Sequence, residues 1–134
     1  MMPMGAVHTY IDAFNRADER AMAEAFANSV SILDGLPPHK WQGPNAGEQW
    51  YKDLVLASEH QGTGNYSVIL GYPWHVSTTG DHAYVVVPAT MTFTVHGKKV
   101  MQTGAVITAV LHNHSGRWLI SAWAWAKGQF VEVG

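Results

Sequence analysis

The spacing of apolar residues changes character near the middle of the chain. In the first half, Val7, Tyr10, Ile11 and Phe14 recur as one face of a helix, with His8, Asp12 and Arg16 elsewhere around it. Asp18 is placed to cap a second, short helix carrying Met22, Ala25 and Phe26 and closed at Asn28. Val30 to Leu33 reads as a short strand, ended by an Asp34-Gly35 turn. Leu36 to Gly43 contains Pro37, Pro38 and Gly43, which predicts a loop or short edge strand. Asn45 with Glu48 three residues on has the form of a capping box. The third helix then carries Trp50, Tyr51 and Leu54 and stops near Gln61-Gly62.

After Gly64 the period is two. Tyr66 to Thr78 reads as one long strand bent at Gly71 or Pro73. In His82 to Val95, residues Val85, Val87, Ala89, Met91, Phe93 and Val95 share one face, and Tyr84, Thr90, Thr92 and Thr94 the other. Pro88 marks a bulge or edge position. Turns at Thr79-Gly80-Asp81, His96-Gly97-Lys98 and Asn113 to Gly116 separate this strand from its neighbours, with Val100 to Leu111 and Trp118 to Lys127 following as strands and Phe130 to Val133 as a tail. Helices first and a meander last predict an α+β fold. Strands this long must twist, so the antiparallel sheet curls around three N-terminal helices into a cone whose mouth is a pocket.

Composition narrows the function. The chain has 134 residues, enough for one domain over 1–134. Charged residues make up 13%, against about 25% in an average domain, which predicts that part of the surface is hidden in a homodimer. The threonine face of the long strand, Thr90, Thr92 and Thr94 with Tyr84 and Val86, is the expected contact. A net charge of −2 provides no basic field for nucleic acid or an anionic membrane. The absence of cysteine removes thiol catalysis, disulfides and Cys-ligated metals. Met1 to Val7 has neither a basic region nor a long apolar run, and no stretch approaches about 18 apolar residues, so the expectation is a cytoplasmic chain without signal peptide or membrane span. No Gly-rich phosphate loop, nucleophile elbow or dinucleotide fingerprint is present, and no cofactor is expected.

Four pieces in order carry a family resemblance: Tyr10-x-x-x-Phe14-Asn15-x-x-Asp18, Phe26-Ala27-Asn28-x-Val30-x-Ile32-x-Asp34, Gly43-x-x-Ala46, and Gly116-Arg117-Trp118-x-Ile120. From about Ala6 to Lys127 the chain resembles the NTF2-like (cystatin-like) superfamily, in particular its SnoaL-like and ketosteroid-isomerase-like members. The resemblance implies that Tyr10 is an oxyanion-stabilising tyrosine and Asp34 a general base. It places the isomerase's third group at Val106 or Thr108, and neither is an acid. Little or no ketosteroid isomerase activity is therefore expected.

Each candidate also has a plainer reading. Asp34-Gly35 forms a turn whether or not the carboxylate is a base, and Tyr10 suits an apolar helix face as a core residue. Six tryptophans suggest a flat aromatic site. Trp123 and Trp125, two apart on one strand, share a face. The resemblance makes that face, with Phe14, Met91 and Phe93, the pocket lining, roofed by Trp50 and Leu54. Trp74 is a further candidate of undetermined facing. His112-x-His114 is the only close histidine pair and has no third ligand nearby, so no metal is expected. His75 serves as an acid/base group only if Pro73 turns it inward. These residues point to a cofactor-independent isomerase, lyase or hydrolase of a small, apolar, cyclic substrate. A non-catalytic small-molecule binder or a protein-interaction module are the other readings.

Overall fold

A computed structural model describes residues 2–133. Helix α1 spans Pro3–Asn15 and buries Val7, Tyr10 and Ile11, three of the four positions of the apolar stripe. Pro3 opens it, where a missing N–H costs nothing. The Asn15 side chain ends it by clamping one residue of the sheet. Its amide donates to the Val68 carbonyl at 2.9 Å and its oxygen accepts from the Val68 N–H at 2.8 Å.

Helix α2 covers Glu19–Glu24, capped by Asp18, whose carboxylate accepts from the Ala21 N–H. It ends earlier than the apolar pattern predicts. Phe26 already belongs to strand β1, Phe26–Leu33, because the Ala25 carbonyl accepts from the Ile120 N–H and Phe26 pairs with Ile120. Strand β2, Lys40–Gly43, is a short edge strand. Helix α3, Ala46–Gln61, stops at Gly62 in the left-handed conformation. The capping box is not formed, since the Asn45 side chain makes no cap hydrogen bond.

The long bent strand is two strands, β3 at Thr63–Leu70 and β4 at His75–Thr79, both paired with β5, His82–Val95. Between them the Gly71 and Trp74 N–H groups still bond the carbonyls of Pro88 and Val86. Strands β6, Lys98–His114, and β7, Arg117–Ala126, complete the meander, and β8, Gln129–Glu132, folds back onto β6. The sheet runs β2-β1-β7-β6-β5-β3, antiparallel except where β1 lies parallel to β7.

The register contains one irregularity that matters for function. On β5, Ala89 pairs with Ala105 and Met91 with Gln102, so the single residue Thr90 faces two on β6, Thr103 and Gly104. This is a bulge, and Gly104 takes the positive φ of 72° that it requires. Side-chain parity inverts across it. Ala105, Ile107, Ala109 and Leu111 point to the core on one side, and Gln102 on the other. The core joins the inner sheet face to α1 through Val7, Ile32, Val85, Val87, Ile107, Leu111 and Ile120, all fully buried.

Candidate active site

Where the helices stop covering the inner face of the sheet, a cavity of about 320 Å³ remains. That is the lower end of the range for small-molecule sites. Its wall contains Tyr10 and Phe14 from α1, Asp34 after β1, Trp50 and Leu54 from α3, Met91 and Phe93 from β5, and Trp123 and Trp125 from β7. These nine residues were legible in the sequence. Gln61, Thr63, Tyr66, Gln102 and Lys127 are polar members of the wall that sequence reasoning missed.

Four candidates lie elsewhere. Trp74 sits in the break between β3 and β4 and is 60% exposed. Val106 and Thr108 are on the outer face of β6, because they alternate with the inward Ala105, Ile107 and Ala109. Alignment through a flanking turn does not see the insertion at Gly104. His75 pairs with Val86 and is exposed, which leaves it no part in the cavity. His82, His112 and His114 cluster on the far end of the sheet. Among the described residues, no group of three His, Cys, Asp or Glu is arranged to hold a metal ion.

Asp34 follows directly on β1, where its backbone N–H still bonds the His39 carbonyl. One carboxylate oxygen accepts from the Trp50 indole N–H at 3.0 Å. A bond to an ionised acceptor is among the stronger kinds, and it fixes the side chain against α3. The neighbouring tryptophan, Trp41, is tied to Asp53 of the same helix at 2.8 Å.

Tyr10 is 3% exposed. Its ring packs 4.9 Å from Phe26 and 4.9 Å, edge-on, from Trp123. No protein group hydrogen-bonds its hydroxyl among the described residues, and that hydroxyl opens onto the cavity. Burial raises the phenol's pKa well above its ordinary value, and the negative charge of Asp34 adds to the rise, with a further contribution from Tyr51. Tyr10 is therefore a neutral donor throughout the physiological range. A carboxylate acceptor and a phenol donor thus face one apolar space, the pair of groups that proton transfer next to a developing oxyanion requires.

The far wall carries more polar chemistry. Tyr66 stacks on Phe93 and shares hydrogen bonds with Ser58 and Thr63, each 2.7 Å. Lys127 stands 5.2 Å from the Phe130 ring centre at the mouth. Trp125 donates its indole N–H to Gln102, which is 3% exposed.

A family model described as SnoaL-like domain matches residues 5–124. No curated protein matches the chain. Among solved structures, a type-2 hexachlorocyclohexane dehydrochlorinase superposes with a TM-score of 0.80 at 9% identity, covering 98% of this chain and 88% of that one. A ketosteroid isomerase-like protein from Erwinia carotovora atroseptica gives 0.74 at 20% identity, covering 94% and 93%. A candidate dehydratase of the NTF2-like family from Streptomyces avermitilis gives 0.76 at 22%, covering 95% and 94%. At these identities the likeness is one of fold.

The buried phenol has a consequence for stability. In the unfolded chain Tyr10 ionises at its usual value of 10.0, whereas in the fold it keeps its proton to higher pH. Its contribution is therefore full below that pH and falls as pH rises above it, by about 1.4 kcal/mol per unit. Tyr10→Phe orphans no partner and removes this term. In urea unfolding between about pH 8 and pH 11, wild type is expected to lose more stability than Tyr10→Phe only above about pH 10. Parallel curves across the whole range would show that Tyr10 ionises freely in the fold.

Proposed function

The chain belongs to the SnoaL-like domain family, and from that premise we propose that its cavity is the active site of a cofactor-independent isomerase or lyase. The substrate is a small, mostly apolar ring compound. The observation that supports this most is that Asp34 and the free Tyr10 hydroxyl open onto the same space, one as an acceptor and one as a neutral donor. The reading takes residues 1–134 as one domain.

In the proposed mechanism the ring lies along Trp123, Trp125 and Phe93, and a C–H bond meets the Asp34 carboxylate. Asp34 takes the proton. The electron pair moves into the ring and onto an oxygen that Tyr10 stabilises by donating a hydrogen bond. Return of the proton to another carbon completes an isomerisation, and loss of a leaving group completes an elimination. The dehydrochlorinase neighbour is named for a reaction of the second kind, although the likeness to it is one of fold. The open cavity speaks against a purely structural, plugged cone. A binding protein without chemistry is the second reading, and the same experiment separates the two.

Hydrogen–deuterium exchange next to the carbonyl of α-tetralone, a small ring ketone, reads the base step without requiring the natural substrate. Wild type is expected to accelerate the exchange, and Asp34→Asn to lose about 10²–10⁴-fold of that acceleration while still binding the ketone. Equal rates in the two proteins would reject Asp34 as the base. Binding with no exchange in either would favour the non-catalytic reading.

We also propose that the protein is a homodimer through the outer face of the sheet. On β5, β6 and β7 the cross-strand rows there run Tyr84, Val110, Ala122 and Val86, Thr108, Ala124, with no charge in either row on these three strands. Ile69, paired with Thr90, extends the same surface as an exposed large apolar residue. Sedimentation at micromolar concentration is expected to give twice the chain mass, and Tyr84→Lys, which sets a charge at an exposed position of one of these rows, to shift it to one chain. A wild-type mass of one chain would sink the proposal.

A further inference from the structure

We infer that Gln102 is a specificity-determining residue that binds an oxygen of the ring ligand through an amide whose orientation the protein has fixed. The inference rests on the cavity being a ring-ligand site and does not require that chemistry takes place there. Gln102 is the one polar residue among the described ones that is buried to the degree of the core, and it lines the cavity.

Its side-chain oxygen receives two hydrogen bonds, from the Trp125 indole N–H and from the Gly128 backbone N–H, both at 2.9 Å. Both partners can only donate. Rotating the amide would set its NH₂ against two N–H groups, so the two ends are not interchangeable. The NH₂ group therefore points away from Trp125 and Gly128, and among the described residues no protein acceptor receives it. The bond to Gly128 depends on a close approach. A Cβ at that position would fall onto the Thr103 carbonyl and 2.7 Å from the Ala105 nitrogen.

Among the described residues no buried side-chain nitrogen or oxygen lacks a partner, so this NH₂ opens onto the cavity, and a ligand that covers it without supplying an acceptor leaves a donor unmet, which is costly. A hydrocarbon ring leaves the NH₂ unmet. A ring bearing a carbonyl or ether oxygen at that end meets it. Discrimination for an oxygenated over a plain hydrocarbon ring follows, because leaving buried polar groups unpaired is how such sites reject the wrong ligand. Trp123 packs against Tyr10, and Trp125, two residues along the same face, bonds Gln102. The Gln102 donor is thus a second polar anchor, next along the tryptophan wall from Tyr10.

The test is the affinity ratio of α-tetralone to tetralin, its parent hydrocarbon, followed by quenching of tryptophan fluorescence. Wild type is expected to prefer the ketone, and Gln102→Leu to lower the ratio by about three- to tenfold. Gln102→Leu also orphans two N–H groups and can unfold. Gln102→Glu keeps an oxygen for both of them, and these two donors favour its ionised form, so at about pH 9 it replaces the free NH₂ with an acceptor. The same fall in the ratio is expected there. An unchanged ratio in a folded variant of either kind would overturn the inference. Wild type that binds neither ring would sink the ring-ligand reading itself together with this inference, whereas wild type that binds both with a ratio unchanged in the folded Gln102 variants sinks this inference alone.

Discussion

One inserted residue decides what the cavity contains. Without the bulge opposite Thr90, the strict alternation of β6 that turns Ala105 and Ile107 inward would put Thr103 on the inner face and Gln102 outside. Gly104 makes the insertion tolerable, because its positive φ would strain any residue with a Cβ. With it, the core half of the strand remains aliphatic and the cavity half presents an amide. The loop from Trp125 to Gly128 is then held through the Gln102 oxygen, and Phe130 and Lys127 at the mouth follow from that loop.

The other end of the cavity depends on an exchange of partners between β1 and α3. A carboxylate beside apolar walls needs hydrogen-bond donors to remain in place. The Trp50 indole provides one and leaves the second carboxylate oxygen without a protein partner among the described residues. The Asp34 charge in turn helps to keep the Tyr10 phenol neutral, so the two groups reinforce opposite roles, one as acceptor and one as donor. Separating such roles by environment is how one pocket carries both an acid and a base.

Much of this was legible from residue spacing. The apolar stripe of α1, the alternation in β5 and the i, i+2 pair Trp123 and Trp125 each name a face, and the structure buries those faces. The misreadings are places where a local signal was overridden by non-local pairing, went unused, or was absent. Phe26 has helical spacing from Met22 yet pairs with Ile120, almost a hundred residues away in the chain. Asn45 and Glu48 have the pattern of a capping box without making its side-chain bond. Val106 and Thr108 were placed by counting from turns, which assumes unbroken parity. The glycine at 104 within an apolar strand was the available signal for a bulge, and it marks the point where the inward parity of β6 passes from Ala105 to Gln102. Trp74 fell in a stretch where Gly71 and Pro73 interrupt the sheet, and no periodicity survives there to set its facing.

The fold therefore makes a half-open cone, and three local devices make it a site: the Trp50–Asp34 bond, an unpartnered tyrosine hydroxyl and the bulge. The account stands on a ring ligand occupying the space between Asp34, Tyr10 and the two tryptophans. The most direct measurement is a crystal structure with a bound ring ketone. The account predicts the ring against Trp123 and Trp125, a C–H facing the Asp34 carboxylate and the oxygen within hydrogen-bond distance of the Tyr10 hydroxyl or the Gln102 amide. A cavity closed by its own side chains, or a ligand bound only on the outer face of the sheet, would contradict it.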